Sequence, residues 1–529
     1  MANNRRSGSD FSAQTLTELF QTQAAHDPSR PFVLYQDRSW SWAAFDDRVQ
    51  RVAELLTSQE VGKGDRVAVV STNNDHYVAV LLAIARIGAI MVPVNPELRA
   101  EEMRYVLGHA EVSGVFVSLA CLDVCKAATA QLQALPWLVL LDGSRDGLPS
   151  LDQLIEQSPR VALRSSGQPD DTVAIIYTSG STGFPKGVMH SQRSYVTIAH
   201  VSRQRVELTA EDRSMLVLPL FHVNALFYSI GAVLAAGASM LIVPRFSAST
   251  FWQTAAEHGI TQVNVVESIG NIIKARPRSE FRDEHKIRVV YGVRPQAAET
   301  FHTDFHVPDL MLGFGMSEAP AFMCNPWHGK RKLESLGVIA RRPGTSEPWG
   351  EARIVDDAGV DVAPGETGEL WLKTIALMQG YFRDPQQTKD AFHDGWFKTG
   401  DIVRQDSDGY YHFVSRKKDV IRRRGENIAG AEIDRIIMAH PAVRDVAAIA
   451  VPSELGEDEI LAVVAVKDNR SATAVDIRDW CRSHLAAHKV PRFIVFMDEL
   501  PYTGTHKVAK AELRRDPSLR ARAVDLSKQ

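Results

Sequence analysis

The stretch YTSGSTGFPKGVMHSQ, Tyr177 to Gln192, packs serine, threonine and glycine around a single lysine, Lys186. The residues before it, AIIYT, have the β-rich, apolar character of a strand. A strand feeding a glycine-rich turn can aim several backbone N–H groups at one anion. Gly180, Gly183 and Gly187 permit dihedrals and close approach that a side chain forbids. The hydroxyls of Thr178, Ser179, Ser181 and Thr182 add donors that rotate to suit. Lys186 adds a point charge for a phosphate oxygen. The Walker phosphate loop ends in Gly-Lys-Ser/Thr, whereas here Pro185 precedes the lysine and Gly187 follows it. The stretch therefore predicts a phosphate loop outside the kinase-like NTPase fold. On composition alone, a polar surface loop is the alternative.

The flanking sequence extends this reading. Upstream, RVAVVST, IMVPVNP and GVFVS read as strands, while TLTELFQTQAAH, HYVAVLLAIARIGA and RAEEMRYVLGHAE carry helical periodicity. Strands alternating with helices of this length predict parallel βαβ layers. The pattern continues through SMLVLPLF, ASMLIVP, FWQTAAEHGI and QVNVV. From about 346 to 416 the texture changes to period-two alternation with Asp-Gly and Pro-Gly turns, which predicts antiparallel β structure. A smaller α+β pattern follows. The expected fold class is α/β: a large N-terminal domain, 1–416, with a β-barrel-like part, then a small α+β domain, 417–529.

Composition narrows the function classes. The 529 residues call for roughly three or four units at a prior of about 150 residues per domain. A net charge of −4 gives no basic surface for nucleic acid or an anionic membrane. The longest apolar run, Val78–Val94, contains Arg86 and ends in VPVNP, so it reads as a buried helix entering a strand, not a membrane span. Four cysteines show no metal-ligand spacing. The N-terminal MANNRRSGSD has no apolar segment of a secretory signal. A reduced, cytoplasmic protein is the expectation.

Four further motifs follow the loop in order. They are GFGMSE (Gly313–Glu318), GWFKTGD (Gly395–Asp401), VSRKKDVIRRRGENIAGAEID (Val414–Asp434) and LPYTGTHKVAKAEL (Leu500–Leu513). Together with YTSGSTGFPKGV they resemble the five signature stations of the adenylate-forming superfamily, along nearly the whole chain. The resemblance lies with its acyl-CoA synthetase branch, and the texture is similar to carnitine/crotonobetaine-CoA ligases. It implies a two-step reaction in which carboxylate and ATP give acyl-AMP and pyrophosphate, and the acyl group then passes to coenzyme A.

The same resemblance assigns roles. Thr178 to Gly183 and Lys186 hold the phosphates. Gly292, Phe314, Gly315, Met316 and Ser317 line the nucleotide, with Phe314 beside adenine. Glu318 holds Mg²⁺, consistent with an ion that takes one or two carboxylates plus phosphate oxygens. Asp401 accepts from the ribose hydroxyls, and Arg416 contacts the nucleotide. Lys418 is the hinge, Gly425 lies on the thiol path, Lys507 is the catalytic lysine, and Lys510 trails it. Ser415 and His506 stand where the family usually has glycine. The acyl pocket is assigned to His222, Asn224, Glu267, Gly292 and Gly313.

His222 occupies the place where amino-acid-activating domains carry an aspartate, and no carrier-protein domain follows Lys507. Both points favour coenzyme A. A stand-alone ligase loading a separate carrier protein is the alternative. Glu267 in an apolar pocket would be costly without a partner; it predicts either a cationic or polar acyl tail or an internal pair with Arg294. The expected partners are a small or medium, polar or betaine-type carboxylic acid, ATP and CoA, with a homodimer as the assembly to test for.

Overall fold

The computed structural model describes residues 13–145, 147–157, 166–178, 185–342, 345–423, 426–452, 458–485, 487–502 and 508–528. The chain divides into two compact units. Among the described residues, the larger comprises those up to 351 together with 372–397; the smaller comprises 352–371 and those from 398 onward.

Two seven-stranded sheets build the larger unit. Edge to edge, the first runs Asp309–Met311, Val289–Tyr291, Gln262–Asn264, Arg213–Leu216, Ser239–Ile242, Pro31–Tyr35 and Arg38–Ser41. Its pairings are parallel except for the last. The second runs Gly380–Tyr381, Lys186–Ser191, Thr172–Thr178, Ile90–Val94, Arg66–Val70, Gly114–Val117 and Trp137–Leu140. Here the first two pairings from that edge are antiparallel and the other four are parallel. The expected βαβ layering is present.

Helix Asp75–Ile87 shows why the apolar run was no membrane span. It touches Ile90–Val94 of one sheet and Pro31–Tyr35 of the other. All 13 of its residues are buried. A helix apolar on every side needs cover on every side, and the two sheets together with helices Leu16–His26 and Trp42–Ser58 supply it. Asn74 caps its start and Gly88 ends it in the left-handed conformation, the usual end signals of a helix. Helices Gln192–Arg205 and Ile230–Ala236 pack on each other, and the second is buried throughout. No helix among the described residues is long and apolar enough to cross a membrane.

The β-rich stretch contains strands Gly350–Val355, Thr367–Thr374, Trp396–Gln405 and Tyr411–Arg416. In the smaller unit the last two pair antiparallel around the Asp408-Gly409 turn. The unit then forms a four-stranded sheet, Val443–Pro452, Asp458–Val466, Phe493–Phe496 and Val524–Asp525. Helices Gly430–Met438 and Ala474–His484 belong to it as well. Its own apolar cores include Ile433, Ile437, Ile460 and Phe493. The four cysteines are buried and unpaired.

Candidate active site

In the larger unit the candidates follow the carboxyl ends of neighbouring parallel strands. His222 and Asn224 come after Arg213–Leu216, Glu267 after Gln262–Asn264, Gly292 after Val289–Tyr291, and Gly313 to Glu318 after Asp309–Met311. That edge is where open α/β sheets place ligands, because loops there are free to vary above a fixed scaffold.

The glycine-rich stretch joins two paired strands. Thr178 ends Thr172–Thr178, Lys186 begins Lys186–Ser191, and the two face each other across the ladder. Ser179, Gly180, Ser181, Thr182 and Gly183 lie outside the described residues. The strand that starts at Lys186 organises what is near it. Tyr381 pairs with Val188 from the opposite side. Its hydroxyl donates to Glu318 Oε1 at 2.9 Å, and Lys186 Nζ lies 5.0 Å from its ring centroid. Burial, reinforced by the Glu318 carboxylate, pushes the Tyr381 phenol well up, so it remains a donor. Tyr381 thus holds a carboxylate on its hydroxyl and a cation on its face.

His190, on the same strand, fixes the other end of the motif. Its Nε2 is 2.7 Å from the Ser317 carbonyl oxygen. Burial lowers its ring pKa to about 4. The neutral ring must therefore carry its proton on Nε2 to donate to that carbonyl. The Met378 N–H donates to the Glu318 carbonyl at 2.9 Å. Ser317 and Glu318 are thereby tied to 190 and to 378–381 through both backbone and side chain.

Two glycines of the site are required by space. A Cβ on Gly315 would sit 2.5 Å from the Tyr228 hydroxyl and 2.6 Å from the Ala321 nitrogen. Gly292 has φ +102, and a Cβ there would lie 2.0 Å from the Val265 carbonyl oxygen. Phe314 pairs with Met323 in a short antiparallel ladder, and Met316 and Ala319 exchange backbone hydrogen bonds.

The acyl-pocket candidates show a polar chain that the sequence did not announce. Asn224 opens a π-helical turn, Asn224–Ser229, a feature often found at functional sites. Asn264 Nδ2 donates to Asn224 Oδ1 at 3.1 Å and to Ser229 Oγ at 3.0 Å. Gln262 donates in turn to Asn264 at 2.7 Å. His222 is lowered to about 4 by burial, so its ring is neutral. For Glu267 the structure shows the second of the two expected readings, the pair with Arg294. The strand stops at Asn264, and Glu267 is instead the first residue of helix Glu267–Lys274. Its side chain is 55% exposed, with Arg294 Nε 4.0 Å away. It is not a charge sealed in an apolar pocket, and a carboxylate at a helix N-terminus is favoured by the helix dipole.

In the smaller unit, Asp401 is fully buried and forms a 2.7 Å ion pair with Arg416 Nε. The two are register partners across the hairpin. Arg416 also donates to the Thr399 carbonyl at 3.3 Å. Ser415, one of the two departures from the family pattern, is buried in the strand opposite Ile402. Extended backbone accepts a Cβ, so the serine is accommodated. Lys418 lies in the short turn Lys417–Asp419, and its side chain is outside the described part. Its neighbours are anchored: Lys417 pairs with Glu369 at 3.0 Å and Asp357 at 3.1 Å, and Asp419 pairs with Arg514. Lys510 is committed to Asp434 and to the Ala448 carbonyl. Gly425, His506 and Lys507 lie outside the described residues. Tyr502 and Val508 bridge on either side of the last two.

No cluster of three or more His, Cys, Asp or Glu among the described residues could hold a metal ion. A lone, positioned carboxylate at Glu318 fits an ion that keeps phosphate oxygens and water as its other ligands.

Sequence reasoning missed Tyr381, His190, Asn264 and Tyr228. Tyr381 is delivered by its long-range pairing with Val188, which no local pattern announces.

Residues 20–382 match the family profile of the AMP-binding enzyme, and residues 432–507 match that of the AMP-binding enzyme C-terminal domain. Indoleacetate–CoA ligase of Aromatoleum aromaticum is 32% identical, over 94% of this chain and 98% of that protein. A crotonobetaine/carnitine–CoA ligase of Salmonella choleraesuis is 27% identical over 90% and 93%. Among solved structures, ATP-bound MatB from Rhodopseudomonas palustris superposes with a TM-score of 0.84, at 26% identity over 94% and 98% of the two chains.

Proposed function

The chain belongs to the AMP-binding enzyme family of adenylate-forming enzymes, its activity is that of an AMP-forming acid–thiol ligase, and we propose that it joins a small or medium, polar carboxylic acid to coenzyme A. The observation that carries the reading is the Tyr381 arrangement, a carboxylate and a cation held on one buried aromatic residue.

In the first step a carboxylate oxygen attacks the α-phosphorus of ATP. The bond to the β,γ-diphosphate breaks, leaving acyl-AMP and pyrophosphate. Negative charge grows on the leaving group, and catalysis is mostly positioning and electrostatics. Lys186 meets that charge at the start of its strand. Glu318, oriented by Tyr381, would hold Mg²⁺, which when bound neutralises phosphate charge. Asp401 and Arg416 take the ribose and nucleotide. Lys507 supplies the catalytic ammonium. In the second step the thiol sulfur attacks the acyl carbon and AMP departs. Rearrangement about Lys418 between the steps, with the functional boundary at 416/417, is part of the reading.

The relatives are named for an aromatic acid and for betaine acids, so neither fixes the acid here. Glu267 is assigned to its pair with Arg294 and not to a cationic headgroup. A cytoplasmic location belongs to the same reading, in keeping with four unpaired cysteines. The test is pyrophosphate release over short, branched, aromatic, dicarboxylic and betaine acids, with and without CoA. Release with an acid alone, and a thioester only when CoA is added, is the expected result.

A further inference from the structure

Arg205 is the least explained charge in the larger unit. It is the last residue of helix Gln192–Arg205, yet its side chain is only 3% exposed. Its guanidinium lies 3.7 Å from the Tyr291 ring centroid and 4.4 Å from that of Tyr228. None of its three nitrogens has a hydrogen-bond partner among the described residues. An uncompensated buried charge is costly. Stacking on two aromatic rings offsets part of that cost, but stacking uses the faces of the guanidinium. The N–H donors point from its edge, in the fork that matches a carboxylate.

The two tyrosines locate this edge. Tyr291 ends its strand immediately before Gly292, and a methyl group at Gly313 would reach the Tyr291 hydroxyl at 3.1 Å. The Tyr228 hydroxyl accepts from the Ala321 N–H at 3.0 Å and closes on Gly315. Tyr228 also lies on the π-helical turn that begins at Asn224. Arg205 therefore sits behind the glycines and the asparagine assigned to the acyl pocket.

We propose that Arg205 is a specificity residue that receives a second anionic group, a carboxylate or sulfonate, at the far end of the acyl substrate. This rests on the acid–thiol ligase reading and names the substrate class within it. The far anion would take the donors that are unpartnered now, while the reacting carboxylate stays at the phosphate end. A neutral tail in the same place would leave the guanidinium unpaired, which is how buried polar groups reject substrates that lack their partner.

The test compares C3 to C6 dicarboxylates, each with its half-amide of the same shape, in acid-dependent pyrophosphate release. Wild type is expected to favour at least one dicarboxylate over its half-amide by about 10- to 100-fold in kcat/KM. Arg205→Gln should bring that ratio to within about threefold while keeping activity on the half-amide. Arg205→Lys, which keeps the charge and loses the fork, should retain part of the preference and serves if the glutamine variant does not fold. Calorimetry of the same acids without ATP reads the anion site independently. Discrimination in calorimetry with no pyrophosphate release from any acid supports the anion site and overturns the ligase reading. Turnover with no preference in wild type, or a preference unchanged in Arg205→Gln, overturns the role of Arg205 and leaves the ligase reading standing.

Discussion

Replacing Tyr381 by phenylalanine removes one hydroxyl and nothing else. The lost contact is the 2.9 Å bond to Glu318 Oε1. Hydrogen bonds to charged groups contribute about 1.5–3 kcal/mol. Glu318 is half-buried and has solvent to fall back on, so the lower end applies, about 1.5 kcal/mol and roughly a tenfold fall in kcat/KM. The ring remains beneath Lys186 Nζ at 5.0 Å. Tyr381→Leu removes that face as well, for a further ~0.5–1 kcal/mol, or about two- to fivefold. The assay is acid-dependent pyrophosphate release under Mg²⁺ titration, alongside thioester formation from preformed acyl-AMP. The expected order is wild type, then Tyr381→Phe, then Tyr381→Leu in the first assay, with a raised Mg²⁺ requirement in both variants. The second assay should change little. A phenylalanine variant within twofold of wild type, or equal losses in both assays, would refute the assignment of Tyr381 to Glu318 and the leaving phosphates.

Three other predictions follow from the same geometry. Glu267→Gln should leave kcat/KM for every accepted acid within about twofold, because its 4.0 Å pair with Arg294 is half-exposed and such pairs contribute little; a large loss for a cationic acid alone would restore the headgroup role. Lys510→Met should lower the stability of the smaller unit by about 1–2 kcal/mol, since it leaves the half-buried Asp434 carboxylate with only the Ala448 N–H; an unchanged thermal midpoint contradicts this. Burial lowers His76, His190, His200 and His222 to about 4 each. Their folded values lie below the ordinary 6.5, so the unfolded chain binds protons that the fold refuses. Stability from these rings is complete above pH 6.5 and is lost as pH falls toward 4, at about 1.4 kcal/mol per pH unit for each missing proton. The thermal midpoint should drop steeply over that window, and His200→Gln should flatten the slope by about one proton.

Much of the site was legible because its chemistry is local. A strand, a glycine-rich turn and a lysine announce a phosphate loop, and the structure pairs Thr178 with Lys186 across that turn. Asp401 and Arg416 stand 15 positions apart, yet the Asp-Gly turn between them already implied the hairpin that makes them register partners. Tyr381 was hidden because a long-range pairing with Val188 delivers it. Arg205 was hidden for a related reason: a basic residue in the last turn of a helix ordinarily faces solvent, and here tyrosines of two other elements stack on it. The sequence left Glu267 with two readings, a polar acyl tail or a pair with Arg294, because a run such as QVNVVES does not say where its strand ends. The helix that starts at 267 leaves the side chain half-exposed beside Arg294.

The most direct measurement of the central claim is product analysis with Lys507→Ala beside wild type. Wild type should convert ATP to AMP and pyrophosphate only when an acid is present. Lys507→Ala should lose this step strongly while still passing a preformed acyl-AMP to CoA. ADP and phosphate as products, pyrophosphate release indifferent to acid, or equal loss of both steps in the variant would contradict the account.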